Sequence, residues 1–418
     1  MCIRDRIAFG RRIGDKNDLT ALPTCSSSFR VPFMRLSVIS SPVVAAIIGF
    51  GGTLALVLAA ANAVGASEVE TASWVTAICL AIAAGTAVLS VVYRQPIVTA
   101  WSAAGLALIG ASSGFTMAEA VGAFAISSGM LFLTGILRPL MRLIERIPAA
   151  VSAGMLGGIM LPFVMSGANA AETDPAFILP LAARFLIIRL KNPPMAVLGV
   201  LVAGGAAAFF FGSVSGTPTL VSSSLVFIAP DFTIAATFGL TIPIYLVTMA
   251  SQYLPGFAVL RADGYEPPTG PIIAVTGAFS TLSAFFGASV SNLAAITAAI
   301  STGEEAHPDA KKRWMVGISY SLSYLIFAIF GASLVALFAL LPPTLITLAM
   351  GLALLPPLTN ATEIALSHKG QRVAAMATFA VTASGISFFG IGAAFWGLTV
   401  GLLMVGLQST FETVSQQR

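Results

Sequence analysis

Lysine, arginine, aspartate and glutamate together make up only 9% of the 418 residues, whereas hydrophobic residues make up 57%. So little charge cannot hydrate the surface of a globular domain of this size, and a mean hydropathy of +0.93 points to the lipid bilayer as the solvent. Cysteine is equally sparse. Cys2, Cys25 and Cys79 have no metal-ligand spacing, and Cys79 sits inside an apolar run as a small packing residue, so no disulfide, metal or other cofactor is expected. Also missing are the strings that intramembrane enzymes need: a His-Glu-x-x-His pair, an aspartate-rich cluster, or a glycine-rich loop with lysine. An enzyme is therefore not expected. Nor does the net charge of +4 signal nucleic acid, because residues 1–33 hold six Lys and Arg against three Asp and leave the remainder close to neutral.

What the chain does have is apolar length. A helix needs roughly 20 apolar residues to cross the hydrocarbon core, and the runs between breakers amount to about fourteen such passages, seven before and seven after a Ser-, Thr-, Gly- and Pro-rich stretch. The expected fold class is an all-α polytopic membrane protein. Its divisions are a tail over 1–33, a first seven-span unit over 34–212, a linker over 213–235, a second unit over 236–411 and a short tail over 412–418. The tail over 1–33 reads as disordered or as upstream sequence, since Met34-Arg35-Leu36 directly precedes the first apolar run.

Positive charge falls in alternate gaps. Arg94, then Arg138, Arg142 and Arg146, then Arg189 and Lys191 occupy the second, fourth and sixth gaps; Arg261, the Lys311-Lys312-Arg313 cluster, and Lys369 with Arg372 continue the alternation. The intervening gaps hold acids or nothing, as at Glu68, Glu172, Asp174 and Asp231. The positive-inside bias then puts both termini in the cytoplasm and the 213–235 linker outside. Because seven is odd, the second unit must enter from the opposite side, which is the consequence of an inverted-topology repeat.

The third segment of each half is irregular in the same way. Gln95-Pro96-Ile97-Val98-Thr99-Ala100-Trp101 is short and β-branched and precedes a helix-forming run that starts at Ser102. Phe285-Phe286-Gly287-Ala288-Ser289-Val290 has the same extended character, and Ser291 or Asn292 is suited to cap the helix that follows. Each segment is expected to be a short strand and a half-helix whose N-terminus ends near the membrane midplane. Two such tips, brought together by opposed topology, would offer unpaired N–H groups and dipole ends to an anion. Two ordinary short helices packed through Gly and Ser are the alternative.

The string from Thr248 to Tyr265, Thr-Met-Ala-Ser-Gln-Tyr-Leu-Pro-Gly-Phe-Ala-Val-Leu-Arg-Ala-Asp-Gly-Tyr, is the most distinctive in the chain. With Asn292-Leu293-Ala294-Ala295-Ile296-Thr297-Ala298-Ala299-Ile300, Gly303-Glu304-Glu305-Ala306-His307-Pro308 and Arg313-Trp314, it resembles the BenE family of benzoate/proton symporters over roughly residues 35 to 410. The family is similar in turn to nucleobase permeases and SulP-type anion carriers. The resemblance implies a core domain, a gate domain and a substrate site between the third and tenth segments. It also implies proton-coupled alternating-access transport of an aromatic carboxylate across a bacterial inner membrane, with a homodimer as a further possibility. A nucleobase or inorganic-anion substrate, or exchange or uniport without proton coupling, are the competing readings.

Within that frame Gln252 stands where nucleobase permeases carry a carboxylate, and an amide can donate to a substrate carboxylate that a buried acid would repel. Thr53 and Tyr253 are candidates to line the cavity, the tyrosine ring by stacking. Thr99, Ser102, Ser289, Ser291 and Asn292 complete the expected substrate site. Ser289 stands where members of the family commonly carry histidine, which leaves the proton carrier open. Glu363 with Asn360, after the kinking Pro356-Pro357 pair, is the candidate for proton coupling, with an interfacial acid as the alternative.

Overall fold

The computed structural model describes residues 33–137, 139, 148–211, 214, 220–294, 301–303, 307, 309–388 and 391–416. The expected tail lies outside these, apart from Phe33. Among the described residues the chain is mostly helical. Seven helices are long and apolar enough to cross a bilayer, and an eighth passage, Ala310–Ile329 with Gly331–Ala339, bends by 63°.

Helix α1 spans Phe33–Ala63, α2 Glu68–Tyr93, and α4 Met117–Ile136. Between α2 and α4 lie the strand β1 (Thr99–Trp101) and the half-helix α3 (Ala103–Gly110). Helices α5 (Ala149–Thr173), α6 (Pro175–Lys191) and α7 (Ala196–Phe210) close the first half. In the second half α8 (Ile234–Ala262) and α9 (Thr269–Ala284) precede the strand β2 (Ser291–Leu293). Then come α10 (Trp314–Ile329), α11 (Gly331–Ala339), α12 (Pro343–Ser367), α13 (Arg372–Ala383) and α14 (Ala393–Gln416). A two-residue hairpin, β3 (Ser387–Phe388) with β4 (Ile391–Gly392), joins the last two helices.

Local chemistry sets many of these ends. Ser67 with Glu70 and Thr116 with Glu119 form reciprocal capping boxes at the starts of α2 and α4. Helix α8 widens into π turns at Thr237–Thr241 and Met249–Tyr253, each followed within two residues by a proline, Pro243 and Pro255. A proline has no N–H for the carbonyl one turn back, so the helix loosens just before it.

The helices sort into two bundles. In the core bundle α2 packs on α9 and α10, α4 on α9, and α1 on α3 and α10; in the gate bundle α5 packs on α12 and α13, α13 on α14, and α6 on α7. Close approach in the core depends on Gly277, where an added Cβ would stand 2.5 Å from the Phe132 nitrogen. The segment 220–231 is stitched to the core alone. Val221 bonds Ser333, Val226 bonds Ser73, Ile228 bonds the Phe285 carbonyl and Asp231 bonds the Ala118 carbonyl.

One expectation needs correction. The second-half strand is Ser291–Leu293 and not 285–290, so Ser291 and Asn292 pair in a ladder and do not cap a helix. The helix expected after them falls mostly on 295–300, outside the described residues, although Ser301 and Thr302 are helical. Helix α14 continues to Gln416, into the stretch expected as a tail.

Candidate functional site

The two interrupted segments meet as an antiparallel pair with Thr99 opposite Leu293, Ala100 opposite Asn292 and Trp101 opposite Ser291. This pairing is the geometry expected of two oppositely inserted copies of one unit. The ladder is extended on each side by the Ser102 N–H to the Val290 carbonyl at 3.2 Å and the Ala294 N–H to the Val98 carbonyl at 3.0 Å.

Pleating divides the side chains between two faces. Thr99, Trp101, Ser291 and Leu293 point into the core bundle. Thr99 shares a hydroxyl contact of 2.8 Å with Thr86 and donates to the Ile82 carbonyl, Ser291 meets Ser280 at 2.7 Å, and the Trp101 indole donates to Tyr324 at 3.1 Å. These groups fasten the ladder to α2, α9 and α10. The opposite face carries Ala100 and Asn292, and Ala100 is the one residue of the two strands that is not fully buried. With its amide turned to satisfy its neighbours, the Asn292 oxygen accepts from the Ser102 N–H at 3.2 Å and its nitrogen donates to the Leu293 carbonyl at 3.0 Å.

Ser102, expected to begin the helix-forming run, is the cap of α3. Its hydroxyl accepts from the Gly105 N–H at 3.2 Å and lies 3.0 Å from the Thr248 hydroxyl on α8. The N–H groups of Ala103 and Ala104 open the helix without an intrahelical partner, which places the positive end of α3 beside α8. One turn beyond Thr248, Gln252 sits half-buried in the second π turn, where its only side-chain bond among the described residues is a long 3.4 Å contact to Ser251. That turn packs on β2 and also on α5 of the gate bundle. Gln252 is thus a nearly free amide at the seam between the bundles.

Other expected site residues are placed differently. Tyr253 is fully buried with its hydroxyl 2.5 Å from Thr276, so it joins α8 to α9. The Thr53 hydroxyl donates to the Gly49 carbonyl of its own helix. Ser289 is buried and its hydroxyl has no hydrogen-bond partner among the described residues. Glu363 and Asn360 are exposed on α12, which packs chiefly on α5, and no described hydrogen bond links either to the ladder.

Two contributors were not legible as site residues. Thr248 was quoted only as the start of a string, yet it supports the tip of α3. Arg313 was counted only as a topology marker, yet it is the one charged side chain that is buried among the described residues. It donates to the Thr302 and His307 carbonyls, both at 2.6 Å, and the Thr302 hydroxyl bonds the Asp263 carboxylate. The guanidinium therefore faces carbonyls at the end of the passage that begins with β2.

A separate cleft of about 430 Å³ opens between the bundles at the far end of α3. Leu108, Gly110 and Phe115 line it from the core, Pro162 and Phe163 from α5, and Thr382 and Ala394 from α13 and α14.

A family model described as benzoate membrane transport protein (BenE) matches residues 32–407. The benzoate membrane transport protein of Acinetobacter baylyi is 36% identical over 86% of this chain and 92% of its own length. The inner membrane protein YdcO of Escherichia coli is also 36% identical, over 88% of this chain and 96% of its own length. In three dimensions the chain is similar to the murine Solute Carrier 26 family member A9 anion transporter in its inward-facing state. That similarity has a TM-score of 0.62 at 12% identity, covering 92% of this chain and 70% of the other.

Proposed function

This chain belongs to the BenE family of benzoate membrane transport proteins, and from that premise we propose that it carries an aromatic carboxylate, benzoate-like, together with a proton by alternating access. Membership makes it a multi-pass membrane transporter of a small molecule and not an enzyme. Its fold is that of the SLC26-type transporters, two inverted repeats arranged as core and gate. The reading extends to fourteen passes in a bacterial inner membrane, with 34–212 and 236–411 as the repeats, 213–235 outside and both termini in the cytoplasm. A homodimer is part of the same reading.

The observation that carries the substrate assignment is the set of donors at the seam: the first N–H groups of α3 behind Ser102, and the free Gln252 amide one turn from Thr248. A carboxylate there would meet the helix N–H groups and the amide NH2 as donors. A buried acid at position 252 would instead repel it by about several kcal/mol. Uptake of labelled benzoate into proteoliposomes with an imposed pH gradient tests the proposal. Accumulation that follows the gradient and resists competition by uracil or sulfate is the expected result. Competition by either of those would point to a nucleobase or inorganic-anion carrier, and accumulation that persists without the gradient would point to exchange.

A further inference from the structure

Positive charge is confined to one end of the helices among the described residues. Glu68, Glu70, Glu119, Glu172, Asp174 and Asp231 lie at one end, and Lys and Arg are absent from that end among the described residues. The cleft opens on this acidic face, where α3 and α13 end and α14 begins. An anion approaching it meets a negative field with no cation to offset it.

The cleft lining offers acceptors as well as donors. Ser112, Ser166 and Ser384 donate to the Ile109, Phe163 and Val381 carbonyls of their own segments, Ser384 also accepts from the Ile386 N–H, and the Thr382 hydroxyl has no partner among the described residues. Two helix C-termini, those of α3 and α13, add their negative poles, and the first N–H groups of α14 supply the donors. Acceptors and donors side by side match a group with one O–H and one C=O. The rings of Phe115 and Phe163 offer an apolar wall for a phenyl group.

Resting on the transport reading above, we propose that this cleft is an entry site that takes the aromatic acid undissociated, so that the proton enters the cleft with its substrate. Among the described residues, no titratable side chain lines the cleft. The nearest acids are committed or distant: the Glu119 carboxylate holds Thr116 and Thr233, Asp231 sits in the strap with its N–H on Ala118, and Glu172 is exposed at the end of α5. The charged groups of the other elements around it, Arg261 on α8, Glu363 on α12 and Arg372 on α13, belong to the opposite end, as do both histidines. No Asp, Glu or His is buried among the described residues.

The test uses right-side-out vesicles, with the flux of protein-free vesicles subtracted. Between outside pH 5.5 and 7.5 the KM in total benzoate should rise roughly tenfold per pH unit, because the undissociated fraction falls by that factor above a carboxyl pKa. Benzamide, a neutral isostere, should compete from outside, and benzenesulfonate, a permanent anion, should not. Ser113→Lys places a cation at the exposed rim of the cleft; it should flatten the pH dependence and admit benzenesulfonate as a competitor. A KM that stays constant with pH, or equal competition by the two isosteres in the unaltered protein, would overturn the proposal. If no protein-dependent benzoate uptake occurs at any pH, the transport reading fails instead. Equilibrium binding of labelled benzamide to the purified protein, with Ala111→Phe to fill the cleft, then decides the site separately.

Discussion

In the first half the chain passes from strand to helix at Ser102, whose hydroxyl serves its own helix and reaches Thr248 on a helix from the other half. In the second half the strand runs through Ser291 and Asn292, the serine is bound to Ser280 in the scaffold, and the amide of Asn292 turns back to the Ser102 N–H. One segment supplies a helix tip and the other braces it. Inverted repeats thus share a backbone plan while dividing the polar work unequally, and the division follows from which residues the pleat turns toward the scaffold.

The sharpest way to break this comparison is to add charge at the seam. Gln252→Glu sets a carboxylate against the substrate's own and should weaken benzoate binding by at least about a hundredfold. Calorimetric titration reads that loss, and an unchanged melting temperature separates it from misfolding. Asn292→Leu removes the brace from the Ser102 N–H and leaves the Leu293 carbonyl short of a donor, a cost of about 1–3 kcal/mol. Affinity should fall roughly tenfold to a hundredfold on that scale; an unaltered affinity would mean that the brace does not hold the tip.

Thr99→Val tests the scaffold side of the ladder. It should lower stability by about 1 kcal/mol through the lost Thr86 and Ile82 bonds while leaving the KM alone, which paired thermal melts and uptake kinetics would check. Glu363→Gln should have the smallest effect. Its side chain is exposed on α12, so the pH dependence of uptake should match that of the unaltered protein, and a lost dependence would restore Glu363 as the proton carrier.

The membrane fold was legible because hydropathy and the alternation of Lys and Arg act over the whole chain. The start of a helix at Ser102 was legible too, although its role as the cap was not singled out. The register of the second strand was not. Phe285–Val290 has the same β-branched and aromatic character as a strand, and only pairing with Thr99–Trp101 across the bundle selects Ser291–Leu293 instead. Nor could the roles of Thr99, Ser291 and Tyr253 be read locally, because their partners Thr86, Ser280 and Thr276 are set by helix packing. Arg313 shows the same limit: its neighbours Lys311 and Lys312 are exposed, and only the folded chain buries the third cation.

The most direct test of the central claim is to locate bound 4-iodobenzoate by its anomalous scattering in crystals of the purified protein. The claim requires the carboxylate within hydrogen-bond distance of the Ala103 and Ala104 N–H groups and of the Gln252 amide. An iodobenzoate seated elsewhere, with the Ser102 tip still closed on Thr248, would contradict it.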